Sequence, residues 1–131
     1  MRDSGLLVQA EQVNSVWSIV EPYLARVETY RLNTSHLYQW LVNGQQQLWL
    51  CLSDQKIVGA CITALVDYPL ARVLEVSTLG GDGGNWNDMM LDVEQYAKSC
   101  GCSRIEIVGR KGWLKALDGY APIQTTISKE L

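Results

Sequence analysis

The sequence lacks a hydrophobic run long enough to cross a membrane, and it lacks an excess of positive charge. None of its apolar segments approaches the ~20 residues that a spanning helix needs. The first residues, MRDSGLLVQAEQ, hold too short an apolar stretch for a secretory signal. The net charge is −3, so charge alone does not attract the protein to nucleic acid. These absences predict a cytoplasmic protein that binds neither membranes nor nucleic acid.

Metal ligands are scarce as well, because the chain has one histidine and four cysteines. Cys51 and Cys61 lie in apolar segments, where cysteine usually serves as a small buried hydrophobic residue. Cys100 and Cys102 form a lone Cys-x-Cys beside a glycine. We therefore predict no metal site and reduced thiols.

No linker, repeat or low-complexity stretch divides the 131 residues, which predicts one domain over residues 1–131. Apolar positions between Val13 and Val27 predict an amphipathic helix within QAEQVNSVWSIVEPYLARVETYR, which Pro22 would kink or divide. A second helix is predicted to be capped by Thr34 or Ser35. The rest predicts three strands, a helix, a strand, a short helix and a last strand over IQTTIS. The predicted class is α+β with a mixed sheet, in the order (β)ααβββαβαβ.

Several segments carry a resemblance to a known family. RVLEVSTLGGDGGNWNDMMLDVEQYAKSCGCSRIEIVGR places glycines between a strand and a helix, and within it AKSCGCSRIEI has the pattern Ala-x-x-x-Gly-Cys followed by an apolar strand. LDGYAP and the hairpin-like LWLCLSDQKIVGACIT add to this pattern. Over nearly the whole chain the sequence resembles the GNAT (GCN5-related N-acetyltransferase) superfamily. In its general sequence pattern, rather than in a particular motif, it most resembles the small GNAT-like proteins encoded by tailed phages.

The resemblance implies a mostly antiparallel central sheet flanked by helices, with acetyl-CoA in a cleft between two splayed strands. It implies an N-acyltransferase whose acceptor is a small-molecule or protein amine. The implied cofactor-binding residues are Val76, Ser77, Thr78, Gly80, Gly81, Gly83, Gly84, Asn85, Arg110 and Lys111.

The glycine loop departs from the family pattern Arg/Gln-x-x-Gly-x-Gly/Ala, because no Arg or Gln opens GGDGGNWNDM. The loop also carries Asp82, whose carboxylate within ~5 Å of a phosphate would cost ~3 kcal/mol at an effective dielectric of ~20. Two interpretations stay open at this point. The glycines form either a phosphate-binding loop at a helix N-terminus or a turn that ends in a helix cap.

The resemblance also suggests catalytic residues. Glu75 matches the strand position where many family members keep a carboxylate base, although it could instead be an exposed strand residue. The last helix has no tyrosine, so Tyr120, which could instead serve in packing, is the remaining candidate for the acid. The lone His36 is expected to be a capping or surface residue.

Two functional hypotheses follow. An active acyltransferase predicts an open cleft between strands that end near Thr78 and Val108. A non-catalytic GNAT-fold binding or structural module, acting through protein–protein contacts, predicts that Trp86 or Asp82 fills the pyrophosphate space. The last strand offers an edge for a homodimer, and a phage-encoded protein would lie in the host cytoplasm or the virion.

Overall fold

Alternating apolar residues form one mixed sheet in this computed structural model, which describes residues 2–27, 31–109 and 112–131. The strands are β1 (Ser4–Val8), β2 (Gln47–Ser53), β3 (Lys56–Tyr68), β4 (Ala71–Gly81) and β5 (Arg104–Ile107). The helices are α1 (Val13–Ala25), α2 (Thr34–Val42), α3 (Trp86–Ser99) and the short α4 (Trp113–Ala116). The strands lie in the order β1-β2-β3-β4-β5, antiparallel except for the parallel pair β4–β5. The predicted class and mixed, mostly antiparallel sheet are confirmed.

Helices cover both faces of the sheet, and a buried cluster lies on each face. The cluster under α1 and α2 consists of Val8, Val13, Val20, Leu24, Leu37, Leu41, Leu48, Leu50, Ala60 and Ile62. The cluster on the α3 face consists of Trp49, Cys51, Cys61, Leu74, Val76, Leu79, Met89, Met90, Val93, Ala97 and Leu117. Cys51 and Cys61 are buried free thiols, as predicted, and burial raises the pKa of Cys51 to about 12.

Pro22 does not divide α1, so that part of the prediction was wrong. The helix continues from Val13 to Ala25, and Pro22 is an exposed residue of its last turn. Proline removes one backbone hydrogen bond. Val20 and Leu24 are both fully buried on either side of it, and their packing holds the helix together.

The cap of α2 lies one residue earlier than predicted. Asn33, not Thr34 or Ser35, is the N-cap, and its side-chain oxygen accepts hydrogen bonds from the backbone N–H groups of Ser35 (3.0 Å) and His36 (3.4 Å). The His36 Nδ1 accepts in return from the Asn33 N–H at 3.1 Å. The lone histidine is therefore a capping residue, as predicted.

The predicted last strand does not form. Residues 121–131 contain no strand, and Ile127 is 92% exposed. Within the described residues β5 pairs only with β4, so its outer edge is unpaired. The alternation in IQTTIS predicted which side chains would share a face of a strand, but it could not predict whether this segment would pair with the edge of β5.

Candidate functional site

The parallel strands β4 and β5 separate part-way along β4. Their register runs from Val73 opposite Arg104 to Val76 opposite Ile107, and the Val108 N–H donates a last bond to the Val76 carbonyl at 3.0 Å. Beyond Val76, β4 continues to Gly81 with no strand beside it on this edge in the described residues. The edge of β4 is therefore unpaired from Ser77 onward, and this interval, called the gap below, is close to the position predicted for a cleft.

A β-bulge lies at the beginning of this gap. Val76 pairs with Thr63 and Thr78 pairs with Ile62, so Ser77 has no partner on β3, and it is exposed. The extra residue reverses the alternation. As a result, Val76 and Leu79 both reach the α3-side core. The bulge was not predicted, although the apolar spacing Leu74, Val76, Leu79 shifts by one residue and could have indicated it.

Glu75 lies one residue before the last paired position of β4. Its neighbours along the chain reach the α3-side core, so Glu75 lies on the opposite face, which α1 and α2 cover. It is half-buried and is in register with Ala64 on β3 and Glu106 on β5. Glu106 forms an ion pair with Arg104 at 3.4 Å, whereas Glu75 has no hydrogen bond or ion pair to any described residue. Its carboxylate oxygens are therefore available to a ligand.

Gly80 and Gly81 are strand residues, so their predicted place in a loop was wrong. They pair with Ala60 and Gly59 of β3. A Cβ on Gly80 would lie 2.7 Å from the Tyr23 carbonyl oxygen, and a Cβ on Gly81 would lie 2.8 Å from the Trp86 ring. Close packing on both faces of β4 explains this glycine pair.

Asp82 begins the true loop, and it turns towards α1. Its N–H donates to the Val58 carbonyl at 2.8 Å, and its carboxylate forms an ion pair with Arg26, at the end of α1, at 2.5 Å. The hydrogen bond from Arg26 lowers the pKa of Asp82. Because Arg26 compensates the charge, Asp82 repels an approaching anion less than the unpaired carboxylate considered from sequence.

The loop ends at the N-terminus of α3, which Asn85 caps. The Asn85 side chain accepts from the Asp88 N–H at 3.2 Å, and its own N–H donates to the Asp3 carboxylate at 2.6 Å. Gly83 and Gly84 have φ values of +127° and +93°, which glycine adopts without strain. The loop thus forms a turn and a helix cap, and the amide at the N-terminus of α3 is bound by the carboxylate of Asp3.

Two tryptophan side chains connect the separated ends of β4 and β5. Trp86 lies against the Gly59–Gly81 pair, and Trp113 lies beside Gly109, which follows β5. The two rings pack edge to face, with centroids 5.0 Å apart and planes at 83°. One of the two hypotheses placed Trp86 in this region, whereas Trp113 was not predicted to take part.

Tyr120 is not directed at Glu75. Its hydroxyl donates to the Glu94 carboxylate of α3 at 2.6 Å, and burial together with Glu94 raises its pKa. A raised pKa and an occupied hydroxyl both weaken its ability to donate a proton, so the acid role stays a prediction. Arg110 and Lys111 lie outside the described residues.

Two further classes of site were searched for in the part of the chain that is described. It contains no group of three or more metal-ligating side chains. Its helices include none that is both long and apolar enough to cross a bilayer.

Comparison with known proteins agrees with this architecture. No protein-family model and no curated protein matches the sequence. Among solved structures, a GNAT family acetyltransferase from Staphylococcus aureus is 16% identical with a TM-score of 0.67, and 100% of each chain is covered. An aminoglycoside acetyltransferase from an uncultured soil metagenomic sample has a TM-score of 0.71 at 13% identity, covering 98% of this chain and 95% of that one. The chain has the GNAT fold.

A third structure with the GNAT fold comes from Clostridium acetobutylicum and is described as a "predicted acetyltransferase with acetyl-CoA". It is 16% identical and has a TM-score of 0.64, and the match covers 98% of this chain and 96% of the Clostridium chain. At these identities the likeness establishes the fold alone.

Within this GNAT fold, the structure brings together only part of the predicted site. Glu75, Val76, Ser77 and Thr78 all lie where β4 leaves β5. Gly83, Gly84 and Asn85 lie at the N-terminus of α3. Sequence reasoning missed Asp3, because it bonds to a residue 82 positions away and no local pattern marks that contact.

Proposed function

We propose that the protein is an acetyl-CoA-dependent N-acyltransferase whose acceptor is a small-molecule or protein amine. The observation that supports this function best is the bulge at Ser77, placed where β4 and β5 separate and two residues after the half-buried Glu75. A free backbone segment, a gap and an available carboxylate therefore meet at one point of the sheet.

The two ends of acetyl-CoA fit the described residues unequally. The thioester end fits, because the bulged residue Ser77 lies outside the β3–β4 ladder and is exposed beside the gap. The diphosphate end fits less well, because Asp3 occupies the Asn85 N–H and Trp86 packs on Gly81. The glycine loop and the α3 N-terminus would hold the diphosphate once that N–H is free.

Acetyl-CoA supplies an activated acetyl thioester, and the chain supplies positioning and proton transfer. The amine approaches from the face that α1 and α2 cover, where the Glu75 carboxylate accepts its proton. The backbone N–H groups around Ser77 would donate to a thioester carbonyl oxygen and would stabilise negative charge on it. Because the Tyr120 hydroxyl donates to Glu94, water would supply the proton that a leaving thiolate needs.

Substitution of Glu75 tests this proposal. We expect Glu75→Gln to lower kcat for acetyl transfer to amines by at least ~100-fold, as for loss of a general base, with CoA affinity unchanged. The assay follows thiol release from acetyl-CoA over a panel of primary amines. Glu106→Gln is the matched control, because this carboxylate is in register with Glu75 but pairs with Arg104. Full activity of Glu75→Gln would contradict the assigned role.

A second candidate is a non-catalytic GNAT-fold module that acts through protein–protein contacts. The Trp86–Trp113 pair across the gap favours it, as does the carboxylate on the α3 N-terminus. Calorimetric titration with CoA separates the two candidates, because a module of this kind gives no heat at millimolar ligand. A homodimer through the sheet edge, and the narrower resemblance to proteins of tailed phages, stay predictions.

A further inference from the structure

Residues 123–128, called the C-terminal segment below, have the alternation of a strand but form no strand in the single chain. Ile123 is 60% exposed and Ile127 is 92% exposed, so most of each side chain is open to solvent. In an extended conformation both isoleucines would lie on one face together with Thr125, and the other face would carry Gln124, Thr126 and Ser128. The segment thus has one apolar face, one polar face and no charged residue.

The outer edge of β5 has a matching pattern, and no strand of the described residues pairs with it. Ile105 and Ile107 pack on the α3-side core. The alternate residues Arg104 and Glu106 lie on the other face of the sheet, where they form an ion pair with each other. A strand added to this edge would place its isoleucines beside those of β5 and its polar side chains beside the ion pair.

A groove next to this edge has room for an isoleucine side chain. It has a volume of about 210 Å³ and lies between the last turns of α3 and the start of β5. Ala97, Cys102 and Ile105 contribute its apolar lining, and Glu94 and Lys98 lie at its α3 side. Burial of an isoleucine in the groove would remove apolar surface of both partners from water.

The C-terminal segment begins beside the groove of its own copy. The Tyr120 hydroxyl donates at 2.6 Å to Glu94, which lines the groove, and the Asp118 N–H donates to the Asn87 side-chain oxygen at 2.8 Å. Both contacts hold the chain on α3 just before the segment. A two-fold axis next to β5 would therefore bring each segment to the edge and groove of the other copy, and both edges would be paired.

We propose that two copies of the chain associate by exchanging their C-terminal segments. The segment of each copy adds as a strand to the outer edge of β5 in the other copy, and one of its isoleucines fills the groove. The occupant is a second copy and not the segment of the same chain, because that segment is exposed although it begins next to its own edge. The added strand is short, since β5 has four residues, so the dimer is weak and depends on concentration.

Sedimentation of the full chain over a range of concentrations tests this association. We expect a dimer with a dissociation constant of about 100 μM or tighter. Ile127→Asp places a charge in the contact and should raise this constant at least about tenfold, whereas the single chain stays folded because Ile127 is exposed. Leu6→Asp is the matched control, since Leu6 is 52% exposed on β1 at the opposite edge of the sheet. A monomer at every concentration, or equal weakening by both substitutions, would overturn the exchange.

Two neighbouring proline substitutions distinguish strand pairing from apolar contact alone. Proline removes a backbone N–H, and the N–H groups of Thr125 and Thr126 point to opposite sides of an extended segment. Only one of them can face β5. We therefore expect either Thr125→Pro or Thr126→Pro to raise the dissociation constant at least about tenfold and by more than the other does. A dimer that neither substitution weakens would contradict strand addition.

Amide hydrogen exchange of β5 distinguishes a second copy from the chain's own segment. We expect the outward-facing amides of β5 to exchange at least about threefold more slowly at about ten times the dissociation constant than at about a tenth of it, because their hydrogen bonds form only in the dimer. Protection that is the same at every concentration would mean that the segment pairs within its own copy, and it would overturn the exchange. None of these measurements uses CoA, so they test the exchange independently of the proposed function.

Discussion

The Trp86–Trp113 contact gives a prediction about both stability and ligand access. Trp113 is half-buried and packs edge to face on Trp86, with the ring centroids 5.0 Å apart. Truncation of a fully buried tryptophan to alanine costs about 3–5 kcal/mol, so we expect Trp113→Ala to cost about 2 kcal/mol of the free energy of unfolding. The edge-to-face pair itself contributes about 1 kcal/mol of this loss.

A double-mutant cycle isolates the ring–ring contribution. Trp86→Ala, Trp113→Ala and the double variant are unfolded in urea, and we expect a coupling energy of about 1 kcal/mol. Trp17 provides the control, since it makes a similar edge-to-face contact with Tyr38 at 5.1 Å on the opposite face of the sheet. Trp17→Ala is expected to show no coupling with Trp113→Ala. A Trp86–Trp113 coupling energy below about 0.3 kcal/mol would refute the contact.

The same variants test whether the pair obstructs the gap between β4 and β5. Since the rings connect the end of β4 to the chain after β5, we expect Trp113→Ala to bind CoA a few times more tightly than the unsubstituted protein, despite its lower stability. Trp17→Ala should leave CoA affinity unchanged. Weaker CoA binding by Trp113→Ala would refute the obstruction and would instead make Trp113 a wall of the cofactor site.

Three further predictions concern stability. A Cβ on Gly81 would lie 2.6 Å from the Val58 carbonyl oxygen, so we expect Gly81→Ala to lower the free energy of unfolding, measured in urea, by about 1–3 kcal/mol. A Cβ on Gly112 would meet open space, so Gly112→Ala, the control, should change this free energy by no more than about 0.5 kcal/mol. The pKa of Tyr120 is raised above its unfolded value of about 10, so the stability that this residue contributes is complete below pH 10 and is lost at higher pH. In thermal melts, Tyr120→Phe should therefore lose less stability above pH 10 than the unsubstituted protein does. An unchanged pH profile would contradict the contact between Tyr120 and Glu94. Asn33→Ala should cost about 1 kcal/mol in urea through loss of the α2 cap, and a cost near zero would show that the cap contributes little.

Local sequence patterns predicted most of the secondary structure, because they depend on neighbours within one or two turns. The apolar spacing of α1 corresponds to an observed helix, and the helix predicted after the third of the three strands is α3. The capping role of His36 follows from contacts over three residues. Pro22 was misjudged, because the burial of Val20 and Leu24 depends on packing against the sheet.

The candidate site was less predictable, because its main features depend on register and on distant residues. The glycine loop was recognisable from its place between a strand and a helix, whereas Glu75 was suggested by the resemblance to the GNAT superfamily. The bulge at Ser77 is defined by the register of β4 against β3, which the sequence of β4 alone does not specify. The outer edge of β5 is unpaired because residues 121–131 do not form a strand beside it.

The sequence by itself determined the α+β class and the order of all elements but the last strand. These depend on periodicity, capping and turn residues, which act over a few positions. Only the tertiary structure decided that Trp86 meets Trp113 and that Asp3 binds the Asn85 amide. Trp86 and Trp113 are 27 positions apart in the sequence, and Asp3 and Asn85 are 82 positions apart. Local sequence preferences act over a few residues, so they do not encode which distant side chains meet once the sheet has formed.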